Sequence, residues 1–413
     1  MKELLADWRI RRMLLANIMG SIGSGITIIA IPWLLVQRPG GERIFGYITV
    51  AATVLLFGFA PYYGAWLDRH SRKAALLAGE VFGATATLTM ATWILLTGAT
   101  ATWQLVTLYF CGMLYYTLHF PARFAFVQQI FARQHYQQLV GLMEIQGQTA
   151  SFLSGGLASV MLVYVPFYVI LIFDAGTYLF SLTLQSTLPY KADHVSTDQP
   201  RINAWRSLGE GLGWLRARPQ FTLFVLCALA PFVAVMTGQY LFPIYVQKIL
   251  EAPASVYGRG EMAFAFGAIL AGVFAPKLIT RHAAANVALI MMLIFIIGLV
   301  LLGGLHTVPT FYCALIFLGL GNAGTRVARG SLMLHEVPNA IIGRVQVVVA
   351  AVDRLFRTLM QFGAIAIVVY ADSSWAFIGL VIFVGLALGL AWSARQGVLR
   401  PEPASPAAPP THD

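Results

Sequence analysis

Three ionisable side chains, Asp353, Arg354 and Arg357, sit in AAVDRLFRTLM, inside a largely apolar run that ends near Tyr370. Counting back from Tyr370 at about 1.5 Å per residue puts Arg357 about 20 Å into a membrane-spanning helix. Charges at that depth are costly and mark substrate or ion pathways, so the group is a candidate site for anion binding or charge coupling. Asp353 and Arg357 are spaced i,i+4 and can pair. Arg354 points about 100° away around the helix and lacks that partner, so it calls for an anion from another helix, a lipid or a substrate. The alternative is an ion pair at the membrane surface, where the helix projects beyond the bilayer. Glu144 and Asp174 also lie in apolar runs. Each can carry a proton or act as a structural partner for a basic residue. Glu80 reads as a partner for a charged loop.

The elements that must position these groups follow from composition. The chain has 413 residues, 58% hydrophobic and 11% charged, with a mean hydropathy of +0.74. A soluble domain carries about a quarter charged residues, so lipid must be the solvent here. A membrane helix needs about 20 apolar residues. That ruler finds twelve spans, at about 13–36, 44–66, 74–97, 102–120, 139–164, 166–188, 220–247, 255–279, 283–305, 309–330, 343–370 and 373–393. No strand-like alternation competes with them. The first span reads as a retained signal anchor, because its apolar run is too long for a cleaved leader. Cys111, Cys227 and Cys313 lack metal-ligand spacing and read as small apolar side chains.

The net charge of +10 forms no basic stripe or nucleic-acid motif. With the N-terminus cytoplasmic, 21 of the 27 lysines and arginines fall on the inner side, four fall outside, and Arg354 and Arg357 lie within the eleventh span. The positive-inside rule therefore expects both termini inside. The polar stretch 189–219 divides the chain into six-helix bundles over 1–188 and 220–393, followed by a Pro/Ala-rich tail over 394–413 expected to be disordered. Near-equal halves suggest an internal duplication with a site between them. Ile202, Trp205, Leu208, Leu212 and Leu215 recur at helical spacing in the linker, which predicts an amphipathic helix on the inner membrane surface.

The loop between the second and third spans is GAWLDRHSRKAAL, residues 64–76, with five ionisable residues in six positions. Simple charge bias does not require that order. It resembles the G-x-L-A-D-R-x-G-R-K-x-x-L loop of the major facilitator superfamily, keeping Gly64, Asp68, Arg69, Arg72, Lys73 and Leu76 and departing at Trp66, Leu67 and Ser71. WRIRRMLLANIMGSIGSGITIIAIPWLLV, VILIFDAGTYLFSLTL, SLGEGLGWLRARPQ and EVPNAIIGRVQ are similar to segments of its macrolide-efflux and enterobactin-exporter branch. The fifth-span antiporter signature G-x-x-x-G-P-x-x-G-G retains Gly147, Gly155 and Gly156, with Ser151-Phe152 in place of its Gly-Pro pair.

The resemblance implies an all-α, twelve-helix bacterial plasma-membrane protein, with the loop as a gate latch holding the outward-facing state. It implies a secondary exporter with a small-molecule substrate, lipid neighbours, no nucleic acid, no cofactor, a proton gradient as energy source and a functional monomer. Asn17, Ser24 and Tyr116 in the first half, with Gln239 and Tyr240 in the second, suit a cavity of mixed polarity. His119 and His335, near span ends, read as surface residues. Arg354 and Arg357 favour a carboxylate cargo of the siderophore type. A multidrug or macrolide cargo would prefer an aromatic pocket with one carboxylate, and an importer of the same fold stays open. No nucleophile–base pair, H-E-x-x-H or phosphate-binding loop occurs, which argues against an enzyme or an ATP-driven pump.

Overall fold

The computed structural model describes residues 6–67, 70–131, 136–190, 204–338, 341–370 and 373–399. The first half holds α1 (Trp8–Val36), α2 (Gly41–Leu67), α3 (Arg72–Thr97), α4 (Thr102–Ile130), α5 (Tyr136–Tyr164) and α6 (Phe167–Ser186). The linker holds α7 (Ala204–Arg216). The second half holds α8 (Pro219–Cys227), α9 (Ala230–Lys248), α10 (Ala254–Arg281), α11 (Ala284–Gly304), α12 (Val308–Glu336), α13 (Ile342–Tyr370) and α14 (Ser373–Leu399). No strand occurs among the described residues. Eight helices are long and apolar enough to cross a bilayer, counting α8 and α9 as one. The remaining expected spans, α2, α4, α5 and α13, form helices of 27 to 29 residues.

Most helices outrun their apolar cores, because hydropathy measures the part in lipid and capping sets the true ends. Asp7 accepts from the Arg9 N–H and starts α1 well before residue 13. Ser71 caps α3, and Gly98 closes it in the left-handed conformation at φ +67°. The seventh span is broken. α8 stops at Cys227 and α9 begins at Ala230 with Pro231 in its first turn, where a missing N–H is tolerated. The Ala228 carbonyl at the break accepts from Arg329 Nη1 of α12 at 3.1 Å.

The two halves repeat one packing scheme. In the first, α1 packs on α5 and α6, α3 on α4 and α6, and α2 on α4. In the second, α9 packs on α13 and α14, α11 on α12 and α14, and α10 on α12. An even number of passages on either side of α7 returns both ends of the chain to one face, here the linker face; the opposite one is the far face. The halves join through α1–α9, α2–α9, α2–α13 and α5–α10.

The amphipathic helix expected in the linker is present as α7, and it packs on α13 and α8. Gly211 lies against the Arg344 carbonyl, where a Cβ would approach to 2.7 Å, and Glu210 pairs with Arg344. Leu215 is buried and Leu212 exposed. Ile202 and the side chains of Trp205 and Leu208 lie outside the described residues, as does the tail.

Candidate functional site

The seam between the halves is built at the far-face ends of its helices. Glu42 of α2 pairs with Lys248 of α9 at 2.9 Å. Tyr240 donates to the Glu42 carbonyl at 3.2 Å and packs on Phe45 with ring centroids 5.5 Å apart. Tyr240, expected to line a cavity, is instead 1% exposed and closes the seam. Trp33 of α1 stacks on Tyr257 of α10 at 6.2 Å. Gly46 of α2 lies against Ile365 of α13.

The tightest crossing between the halves is α5 on α10. A Cβ on Gly155 would come within 2.8 Å of the Gly258 carbonyl, and one on Gly258 within 2.6 Å of the Ser159 nitrogen. Small residues permit this approach of two backbones. Gly156 faces Met262, while Gly147 has nothing within 4 Å of a Cβ. The glycines singled out in the fifth span are thus split: two at the crossing, one away from it. Toward the linker face, α2 exposes Phe59, Tyr62 and Trp66, and α13 exposes Leu355 and Leu359.

Glu261 of α10 is a membrane carboxylate the sequence reading missed. It sits one helical turn from Tyr257 on the same face of α10 and beside Met262 at the crossing. It is partly buried, and no cation bonds it among the described residues. The signal was present: a glutamate seven residues inside an apolar span meets the rule that selected Asp174.

In the first half, two further carboxyls lie in a polar cluster. Asp174 is 1% exposed and Glu80 fully buried. Thr27 donates to Asp174 Oδ2 at 2.6 Å, and Asp174 Oδ1 has no partner. Glu80 Oε1 accepts from Ser181 at 3.0 Å, Gln185 at 2.9 Å and Tyr115 at 3.4 Å, and Oε2 has no partner. Glu80 therefore serves α6 and α4, not the charged loop. His119, expected at the surface, is largely buried, stacked on Tyr115 and 3.6 Å from Glu80. Gly20 and Gly23 of α1 leave the space these side chains fill. A narrow crevice lined by Ser24, Thr27, Tyr116 and Tyr178 reaches Asp174. Ser24 and Tyr116 are bonded to each other at 3.1 Å, Asn17 is buried with Nδ2 unpartnered, and Gln239 is exposed.

The second half places its charges differently. Arg357 Nη2 bonds Asp353 Oδ2 at 2.9 Å, and its guanidinium lies over Phe232 of α9 at 5.4 Å. Arg354 is engaged as well, contrary to the expectation that it stands unpaired. Arg123, assigned by sequence to a loop, lies within α4, which runs on through Pro121 to Ile130; it donates to Gln146 of α5.

In the charged loop, Arg72 Nη1 donates to the Ala125 carbonyl at 2.9 Å, and Lys73 donates to the Ser186 and Leu188 carbonyls at 2.6 Å each. The Ser186 carbonyl closes α6, where cations are favoured, and all three carbonyls belong to the same half as the loop. Asp68, Arg69 and the side chains of Gly64 and Glu144 lie outside the described residues. Cys313 is exposed, unlike Cys227.

Two helical bundles of like packing that meet along one seam, with carboxylates inside each, make a polytopic membrane transporter. The chain belongs to the Major Facilitator Superfamily, whose profile matches residues 13–359. It is 21% identical to the uncharacterized MFS-type transporter YfiS of Bacillus subtilis (strain 168), covering 91% of each chain. It is also 21% identical to macrolide efflux protein A of Streptococcus pyogenes, over 89% of this chain and 91% of that one. Among solved structures, a bacterial homologue of the iron transporter ferroportin in an inward-facing state superposes with a TM-score of 0.71 at 13% identity, covering 94% and 98% of the two chains.

Proposed function

We propose that this transporter is a proton-driven exporter that works by alternating access, and that its cargo is an amphiphilic organic cation of the macrolide type. The observation that carries the cargo class is Glu261: a carboxylate without a cationic partner among the described residues, at the seam, one turn from the Trp33–Tyr257 stack. An apolar aromatic wall with one carboxylate suits a bulky amine. The efflux function in the name of the Streptococcus pyogenes relative agrees with this direction and class. The contacts at the far-face ends fit a state open toward the linker face, which the distribution of lysine and arginine makes cytoplasmic. Of the carboxyls proposed for coupling, Asp353 is bonded to Arg357. With the Glu144 side chain outside the described residues, we assign proton transfer to Asp174 and to Glu80, each with one oxygen without a partner.

The test is uptake of a cationic macrolide into inverted membrane vesicles. Wild type concentrates it when a proton gradient is imposed and stops when the gradient is collapsed. Glu261→Gln falls below a tenth of that rate, and Glu261→Asp keeps most of it. Uptake without a gradient, or an unchanged Glu261→Gln, overturns the reading.

A second cargo class, a carboxylate metabolite of the siderophore type, rests on Arg354, which is partly buried on α13. Secretion under iron limitation decides it. A deletion strain that loses a carboxylate chelator from its medium, restored by wild type but not by Arg354→Gln/Arg357→Gln, would replace the cationic cargo with the anionic one.

A further inference from the structure

α11 and α14 pack side by side, and an open crevice runs between them from the linker face. Leu289 and Leu293 of α11 and Leu388 of α14 wall it. At its mouth Arg395 Nε donates to Asn286 Oδ1 at 2.5 Å, and the guanidinium lies 5.2 Å from the Trp392 ring centroid. Those two contacts fix the head group, and no carboxylate pairs with Arg395 among the described residues. His282 lines the same mouth and is exposed, as is its neighbour Arg281. The sequence holds no Asp or Glu from residue 276 to 304 or from 373 to 400. The mouth is therefore cationic with nothing in these two segments to neutralise it.

We propose that this crevice is a binding site for an anionic phospholipid of the linker-face leaflet, its phosphate held by Arg395 and His282 and one acyl chain lying along the leucines. Two arguments beyond charge support that occupant. From Ala284 to Leu293 α11 advances about 14 Å, close to half of a hydrocarbon core of about 30 Å, so the crevice matches one leaflet in depth. Trp392 is 62% exposed beside the mouth, where an indole ring anchors at the headgroup level. A soluble anion would use the mouth and leave the leucine wall empty.

Native mass spectrometry of the purified full chain tests this with phosphatidylglycerol, phosphatidylcholine and glycerophosphoglycerol, the last being the head group without acyl chains. Wild type is expected to retain one phosphatidylglycerol in preference to phosphatidylcholine. Arg395→Gln weakens that retention about fivefold, the worth of one basic residue near the membrane surface. Arg395→Lys retains the preference, which separates lost charge from misfolding. Leu293→Trp, which fills the crevice, removes the bound lipid with Arg395 intact. Equal retention of the two lipids, or an unchanged Arg395→Gln, overturns the site. Displacement by glycerophosphoglycerol at the same concentration as whole lipid would overturn the lipid assignment in favour of a phosphate site.

Discussion

The two halves share one packing scheme and, Glu261 at the seam apart, treat buried charge in opposite ways. In the first half Glu80 and Asp174 accept from neutral donors, a serine, a glutamine, a tyrosine and a threonine, and each keeps one oxygen without a partner. In the second half Asp353 is bonded to Arg357, and Arg329 binds the freed carbonyl of a broken helix. Neutral donors can hold a carboxyl whether or not it carries a proton. An arginine pair is damaged by the loss of either partner. One scaffold thus holds carboxyls on neutral donors in the first half and an ion pair in the second.

The comparison breaks first at the joint that both halves need. Gly258→Val puts side-chain atoms into the Ser159 backbone, and transport should fall at least about a hundredfold, as read by vesicle uptake. Asp353→Asn should cost about 2 kcal/mol by leaving the partly buried Arg357 without its anion, seen as a lower unfolding temperature in detergent. The double variant Asp353→Asn/Arg357→Gln should recover part of that loss. The contrast sharpens with Glu80→Gln and Asp174→Asn, whose neutral donors remain. Stability should stay within about 1 kcal/mol, while gradient-driven uptake falls about tenfold and gradient-free exchange persists. A fall in stability equal to that of Asp353→Asn would erase the distinction between the halves.

The smallest effect lies at the N-terminal end of α1. Asp7 caps α1, and the Arg9 side chain beside it holds its carboxyl below the usual carboxylate range. A depressed carboxylate contributes stability above its unfolded pKa and loses it as pH falls through the folded one. Asp7→Asn should therefore cost about 1 kcal/mol or less near neutrality, and nothing in acid.

The spans were legible because lipid demands runs of about 20 apolar residues, and the break in the seventh was foreshadowed by Pro231. Helix ends were less so. Arg123 reads as a loop residue because Pro121 and a drop in hydropathy precede it, yet α4 continues to Ile130. Pairing across the sequence was not legible. Glu80 finds Gln185 more than a hundred residues away, and no local pattern announces that. Arg72 and Lys73 read as partners for anions, but helix carbonyls of their own half supply the negative charge. Glu261 was legible by rule and hidden by its neighbourhood, since Arg259 beside it draws the eye to a loop.

The Gly155–Gly258 contact also sets a mechanical ratio. Gly258 lies about 6 Å along α10 from its far-face end and about 35 Å from its linker-face end. A tilt of about 10° around that point moves the near end by about 1 Å and the distant end by about 6 Å. Under the alternating access proposed above, a fulcrum so far off-centre would let one mouth swing wide while the opposite one hardly stirs, and two hydrogen atoms in place of two methyl groups allow the two backbones to meet there.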